Sequence, residues 1–327
     1  MKCILVTGGA GYIGSHTALA LADAGYSPIV YDNLSHGHRW AVQWGPLIEG
    51  DLNDREKLIA TIREFDISAV LHFASFIFVG ESMSDPGKYF ANNVGGTLSL
   101  LEAVRATGIK HLVFSSTAAT YGMPEIVPIT EDAPKEPINT YGDSKLMAEK
   151  LLYWYDQIFG IRSVALRYFN AAGADAEARI GEAHDPETHL IPLILDAVSG
   201  RRSHIGVYGT DYPTPDGTAI RDYIHVCDLA TAHVKALEYL IGGGASTAVN
   251  LGTGTGYSVE EVITSVERIT GIPVPKRYED RRAGDPPSLV ANADRGAKLL
   301  NWRPQHSDID TIVRSAWRWH QRVAHGE

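Results

Sequence analysis

Cysteine is nearly missing from this chain: Cys3 and Cys227 are its two thiols in 327 residues. Two thiols cannot staple a disulfide scaffold, and such scarcity fits a reducing compartment. Long apolar runs are missing as well, and none approaches the ~20 residues of a membrane-spanning helix. The opening MKCILVTGG passes from a strand straight into a glycine turn and carries no signal-peptide cleavage pattern. Positive charge is in short supply, with 29 Lys and Arg against 39 Asp and Glu and a formal charge of −10. This excess argues against nucleic acid or an anionic membrane as partner, so any phosphate must be met by locally placed groups. Metal signatures are lacking too. Thirteen histidines form neither H-E-x-x-H nor a His/Cys cluster with ligand spacing. No metal site is expected, and His184 and His189 read as loop or substrate contacts. Together these absences predict a soluble cytoplasmic protein.

What is present is an ordinary globular composition, 44% hydrophobic and 21% charged. Up to about residue 170, short β-branched runs alternate with amphipathic stretches. ILVTG (4–8), PIVYD (28–32), AVLHFAS (69–75), HLVFSST (111–117) and RSVALRYFN (162–170) read as buried strands. SHTALALADAG (15–25) and NNVGGTLSLLEAVRATG (92–108) read as helices between them. The rhythm predicts an α/β fold: a Rossmann-type doubly wound parallel sheet with ligands at the carboxyl ends of its strands. After residue 170 Pro, Gly and His loosen the pattern. The expected division is a dinucleotide-binding domain over 1–170 and a smaller α/β substrate lobe over 171–327, with later segments woven into the first domain. Gly242 to Gly244 read as a surface loop, and DTIVRSAWRWHQRV (310–323) as a packing helix with Ile312, Val313, Ala316, Trp317 and Val323 at helical spacing. The stretches around 92–107 and 145–159 carry apolar residues on more than one face, which favours burial against a second subunit.

Two motifs carry the chemistry. Residues 7–14, TGGAGYIG, follow a strand and open a helix. Gly8, Gly11 and Gly14 permit a tight turn and let backbone N–H groups approach a pyrophosphate at the helix N-terminus. Asp32 ends the next strand, where a carboxylate accepts from both ribose hydroxyls and repels a 2′-phosphate, so NAD is expected over NADP. Asp51, with the backbone of Leu52, is placed to meet the adenine edge. Farther on, residues 141–145 read YGDSK. A free phenol has a pKa of ~10 and must be acidified to act as a base near neutrality. Lys145, four residues after Tyr141, shares its helix face and favours the phenolate. The reaction also needs a hydroxyl to share a hydrogen bond with the reacting oxygen. Of Ser115, Ser116 and Thr117 at the preceding strand end, Thr117 is best placed.

With these residues in view the chain resembles the extended short-chain dehydrogenase/reductase superfamily and, within it, the UDP-glucose (UDP-galactose) 4-epimerases. The resemblance spans essentially the whole chain. It rests on TGGAGYIGSH, YDNLSHG (31–37), HFASFIFVGES (72–82), NNVGGTL (92–98), FSSTAATYG (114–122), YGDSK, RYFNAAG (167–173), HLIP (189–192), DYPTPDGTAIRDYIHVCDLA (211–230) and RRAGDPP (281–287). It implies transient oxidation at a sugar C4 with zero net redox, tightly held NAD, a UDP-sugar substrate and a homodimer. It places NAD contacts at Tyr12, Ile13, Asp32, Asn33, Leu34, Ser35, His36, Gly37, Asp51, Leu52, Phe73, Ala74, Ser75, Phe76, Ile77 and Asn92. Phe169 would border the nicotinamide. Thr117, Tyr141 and Lys145 take catalytic roles. Asn170, His189, Leu190, Tyr208, Arg221, Arg282 and Asp285 fall on the uridine-diphosphate side.

Three positions depart from the family pattern. The catalytic hydroxyl is Thr117 where Ser is common, and Ile77 stands where many members carry a Lys near the cofactor. That second change resembles epimerases handling pentose or exopolysaccharide precursors. Leu289 occupies a pocket position whose bulk bears on N-acetyl sugars, and it leaves hexose, pentose and N-acetylhexosamine all open. The nearest rival activity is a nucleotide-sugar 4,6-dehydratase, which needs an acid and a base, typically Asp and Glu, directly after the Thr. Here Ala118 and Ala119 follow, and neither can move a proton. A net dehydrogenase would release NADH stoichiometrically, and an NAD-sensing regulator would not need Tyr141 with Lys145.

Overall fold

The protein is described by a computed structural model covering residues 1–282 and 284–324; Ala283, within the RRAGDPP landmark, lies outside the described residues. The chain runs β1 (Cys3–Thr7), α1 (Tyr12–Asp23), β2 (Ser27–Asp32), β3 (Leu47–Glu49), α2 (Arg55–Glu64) and β4 (Ile67–His72). Two short helices, α3 (Val79–Ser84) and α4 (Pro86–Tyr89), pass through a π-helical segment (Phe90–Gly95) into α5 (Gly96–Thr107), β5 (His111–Thr117), α6 (Thr140–Phe159) and β6 (Arg162–Tyr168). There follow β7 (Asn170–Ala172), α7 (Leu190–Val198), β8 (Ile205–Tyr208), β9 (Ile220–Arg221), β10 (Tyr223–His225), α8 (Val226–Ile241) and β11 (Thr247–Leu251). The last elements are β12 (Tyr257–Ser258), α9 (Val259–Thr270), β13 (Lys276–Glu279), β14 (Ser288–Leu289), α10 (Asp294–Leu300) and α11 (Ile309–Ala324).

Seven strands form one parallel sheet in the order β11-β6-β5-β4-β1-β2-β3. The period-two alternation of β1 explains its two faces. Ile4 and Val6 point into one core layer with Leu229, Leu237 and Leu240 of α8, while Leu5 points into the other with Leu58, Leu100 and Leu152. The strand order reverses between β4 and β1, and a crevice at the carboxyl ends of those strands is the place for a ligand. The sheet has the parallel, helix-flanked form expected from the sequence. The strand ends are shorter than the apolar runs. After His72 the Phe73 N–H donates to Thr7 O at 2.8 Å, and residues 73–75 then leave the sheet. Likewise β6 stops at Tyr168, and Asn170 opens β7, which pairs with β10 instead.

A third apolar cluster lies outside the sheet. Ile191, Ile194 and Leu195 of α7 meet Val262, Ile263 and Val266 of α9 and Ile312, Val313 and Ala316 of α11. In α11 the buried indole is Trp319, which the sequence reading passed over, and Val323 is exposed. Gly242 and Gly243 lie exposed just beyond α8, with Gly244 half-buried. No helix among the described residues is long and apolar enough to cross a membrane.

Candidate active site

The glycine loop connects β1 to α1. Gly8 has φ +71°, and a Cβ there would sit 2.5 Å from Ala74 N, so only glycine lets the loop lie against the β4 end. A Cβ on Gly14 would meet Gly8 O at 2.3 Å, which makes this glycine the contact between helix and turn. Gly11 differs: its Cβ would meet nothing nearer than Gly8 O at 3.4 Å. The protein alone does not require glycine there, whereas a pyrophosphate approaching the backbone does. Gly11 caps α1 without a side chain, and the first turn contains no acid, so the free N–H groups and the helix dipole face outward for an anion.

Asp32 ends β2 with its carboxylate fixed by two backbone donors, Ala10 N–H at 3.0 Å and Leu34 N–H at 2.8 Å. Each oxygen keeps a lone pair for a ribose hydroxyl. Burial raises its pKa, against those two hydrogen bonds. Asp51 accepts from Asn33 Nδ2 at 2.8 Å and from Asn53 N–H at 2.9 Å, and these bonds outweigh desolvation to hold its pKa low. Leu52 is buried under Gly96, leaving its backbone as the group able to reach a ligand. Asn33 Oδ1 accepts from Ser35 N–H, Leu34 sits at φ 59°, and Gly37 lies against Ala10 and Asp32, so 33–37 form a bent rim over the loop. The His36 ring packs edge-on against Phe76 and Phe78. The Phe76 N–H donates to Asn93 Oδ1, and Asn92 donates to the same oxygen. Ile13 and Phe73 are partly buried against the sheet core, and Ile77 is half-buried. Tyr12 sends its hydroxyl to Gly173 O at 2.6 Å. This ties α1 to the segment that follows β7. The glycines, the paired carboxylates and the uncapped helix fit a dinucleotide with an unphosphorylated ribose.

The β5 end and α6 present the remaining candidates. Asn139 caps α6 by accepting from Gly142 N–H at 2.8 Å, and Tyr141 is held at its backbone by Ser82 Oγ and Ser144 Oγ. Of the three hydroxyls closing β5, Ser115 bonds Tyr168 and Ser116 donates to Glu149 at 2.6 Å. Thr117 is the one that faces the Tyr141 phenol. Lys145 is buried, donating from Nζ to Ser75 Oγ at 2.7 Å and to Ser115 O at 2.9 Å, with Nζ 4.9 Å over the Phe114 ring. Burial pulls its ammonium down to about 7, and Glu149, one turn on, pulls the other way.

Desolvation raises the Tyr141 phenol and the Thr117 hydroxyl opposes the rise, while the Lys145 ammonium donates to Ser75 and Ser115. Charging either group without a ligand is costly in this dry site.

Among the later elements the predicted residues fall into pairs. The Arg282 guanidinium stacks 3.9 Å over the Tyr208 ring, and Arg221 reaches Asp285 at 3.2 Å while donating to Pro286 O. Leu289 packs with Phe169, Ala118 and Tyr121, which joins the lobe to the residue after Thr117. The Asn170 N–H donates to Asp222 O. His189 caps α7 and Leu190 opens it.

Sequence reasoning missed several supporting groups. Ser75 was read as a cofactor contact, not as a partner of Lys145. Glu149 and Arg167 form a buried ion pair behind the β5 hydroxyls, and Arg167 also donates to Tyr121. Glu182, His184, Glu187 and His189 converge, a grouping that their E-x-H-x-x-E-x-H spacing could have signalled.

The sequence profile of the NAD dependent epimerase/dehydratase family matches residues 4–252. The chain belongs to that family. Among its members, the UDP-glucose 4-epimerase of Rhizobium leguminosarum bv. trifolii is 55% identical over 321 residues, 98% of either chain. The crystal structure of UDP-glucose 4-epimerase from Brucella ovis in complex with NAD is 53% identical, covers 97% of this chain and 98% of its own, and superposes with a TM-score of 0.96. A UDP-glucose-4-epimerase from Stenotrophomonas maltophila, with bound NAD and formylated UDP-arabinopyranose, is 38% identical over 100% of both chains at a TM-score of 0.97. The epimerase/dehydratase fold therefore extends over the chain's full length.

Proposed function

We propose that this protein interconverts UDP-glucose and UDP-galactose at C4, using NAD that stays bound through the cycle. The observation carrying this reading is Thr117 facing Tyr141 at the β5 end, followed by Ala118 and Ala119, in a chain 55% identical to a curated UDP-glucose 4-epimerase. The two alanines leave no group to eliminate water, which disfavours a dehydratase.

Gly8, Gly11 and Gly14, the α1 N-terminus, Asp32 and Asp51 would hold the dinucleotide, and Tyr12, Ile13, residues 33–37, Leu52, residues 73–77, Asn92 and Phe169 would surround it. Bound NAD supplies the hydride acceptor for oxidation at C4 and the donor for the return. Tyr141 takes the proton of the sugar 4-hydroxyl as a phenolate and later gives it back. Thr117 shares a hydrogen bond with the reacting oxygen. Lys145, fixed by Ser75 and the Ser115 carbonyl, places a positive charge one turn from the phenolate. Between the two steps the 4-keto sugar turns and presents its other face. Arg221 and Arg282 would fork the diphosphate, with Asn170, His189, Leu190, Tyr208 and Asp285 around the nucleotide. Anchoring by UDP supplies binding energy that a free sugar lacks.

UDP-xylose and UDP-arabinose are a second reading, supported by Ile77 in place of a Lys and by the pentose nucleotide named for the Stenotrophomonas neighbour. We assign residues 1–170, with β11, to cofactor binding and the rest to a UDP-sugar lobe. A homodimer is supported by the apolar surface that α5 and α6 expose, with Leu98, Met147, Tyr153, Trp154 and Ile158. Two unpaired cysteines support a cytoplasmic location. The deciding experiment incubates purified protein, without added cofactor, with UDP-galactose and separately with UDP-xylose. A 4-epimer without net NADH is expected, and the faster substrate ranks hexose against pentose. A 4-keto-6-deoxy product would overturn the assignment.

A further inference from the structure

The loop between β7 and α7 gathers two carboxylates and two imidazoles. One donor atom from each of Glu182, His184, Glu187 and His189 lies within 4.8 Å of every other. His189 Nδ1 is 2.8 Å from Glu182 Oε1 and 2.9 Å from Glu187 Oε1. His184 Nδ1 is 3.1 Å from Glu182 Oε1 and 3.6 Å from Glu187 Oε2. Side-chain exposure is 6% for Glu182, 12% for His184 and 15% for Glu187, so the cluster is interior; His189 at 39% marks its open side. Among the described residues, these carboxylates pair with the two imidazoles and with no Lys or Arg.

The loop is also held rigidly from outside. The Trp319 indole donates to Glu182 O at 2.8 Å, and His38 Nε2 meets Ala183 O at 2.6 Å. Tyr12 and Phe78 flank the His184 ring at 6.1 and 6.2 Å between centroids. Four converging N and O donors on a pinned loop are what a compact divalent ion requires.

We propose that Glu182, His184, Glu187 and His189 form a four-ligand site for a divalent transition ion of the Zn2+ type, bound through both Nδ1 atoms and one oxygen of each carboxylate. Tetrahedral bonds of ~2.0–2.2 Å put ligand atoms roughly 3.4 Å apart. The N–O contacts of 2.8 to 3.6 Å, which use both Glu187 oxygens, and the 4.8 Å limit on every ligand-atom separation leave the four atoms a small shift from that arrangement. Mixed imidazole and carboxylate donors suit Zn2+ over Ca2+ or Mg2+, which take oxygen shells. The ion would lock the loop that ends at His189, the one ligand that the proposed function also sets beside the nucleotide; the ligand geometry itself does not depend on the proposed substrate.

The test uses the full chain as purified, stripped with a chelator and titrated calorimetrically with Zn2+. The expected result is one ion per chain and a rise in Tm. Co2+ in its place should give the visible absorption of a four-coordinate ion. His184→Gln and Glu187→Gln should each weaken Zn2+ by more than the roughly 10–100-fold that loss of an outer partner costs. Failure of both ions to bind at micromolar concentration would overturn the site. So would unchanged affinity in the folded variants, or an octahedral Co2+ spectrum. Should a variant not fold, the Co2+ spectrum of the unaltered protein decides alone.

Discussion

Replacing Glu149 with Gln keeps the shape of the side chain and removes its charge. In the native protein Glu149 accepts from Ser116 Oγ at 2.6 Å, Arg167 Nε at 2.9 Å and Arg167 Nη2 at 2.5 Å. Both members are nearly shielded from water, with 6% and 10% side-chain exposure. The variant leaves a buried guanidinium facing only the Tyr121 hydroxyl and a neutral amide. Breaking a buried pair from one side costs about 3–5 kcal/mol, because the surviving charge is stranded. For a chain of 327 residues the unfolding entropy is about 0.7 kcal/mol per kelvin, so Tm should fall by about 4–7 °C. Calorimetry of the cofactor-loaded protein reads this directly. Removing the pair altogether, as Glu149→Met with Arg167→Met, should restore part of the loss, since no charge then remains to be solvated. Glu149 also supports the protonated form of Lys145, so its loss should shift the pH dependence of turnover to lower values in Glu149→Gln. A drop in Tm below about 1 °C, or a double variant worse than the single, would refute the stranded-charge account.

Tyr141→Phe should lower kcat by at least about 100-fold while NAD stays bound, as general acid–base groups contribute on that scale; near-normal turnover would remove Tyr141 from the chemistry. Gly11→Ala should shift Tm by only a degree or two, a cap change of about 1 kcal/mol, yet strip the cofactor. Absorbance and fluorescence of the purified variant would show retained NAD if this reading is mistaken. Acid should unfold the protein earlier than its carboxylates alone require. Burial lowers His16, His225 and His233 to about 4 and His72 to about 3, from 6.5. A depressed imidazole means that the unfolded chain binds more protons, so stability is full above pH 6.5 and declines as pH falls toward 4. At pH 5 each site removes up to about 2 kcal/mol, and a Tm that stays level between pH 7 and 5 would contradict this.

The parts of the site legible in the sequence were those set by local geometry. A strand followed by TGGAGYIG dictates a turn and a helix N-terminus whatever lies beyond it. The four-residue step from Tyr141 to Lys145 likewise belongs to one helix. What escaped depended on distant partners. Lys145 donates to Ser75, beyond the end of β4, and to the Ser115 carbonyl of β5, so spacing along α6 said nothing about where the ammonium points. The strand Thr247–Leu251 lay outside the strands expected from the sequence, and its pairing with β6 is a long-range choice that periodicity does not encode. Trp319 and the four-residue His/Glu cluster belong to the same class, since their partners are chosen by loop paths.

The return of the chain to its own starting layer has a consequence for how the protein can move. Leu229, Leu237 and Leu240 of α8, Val249 and Leu251 of β11, and Leu300 and Trp302 near α10 all fill the same core layer as Ile4 and Val6. The polypeptide is stitched back and forth between its two halves, unlike a pair of shells joined by one strap. Such a seam resists wide opening but leaves side chains at the rim free to yield. A catalyst whose oxidised sugar must turn over without escaping needs that combination: room inside, and no open door.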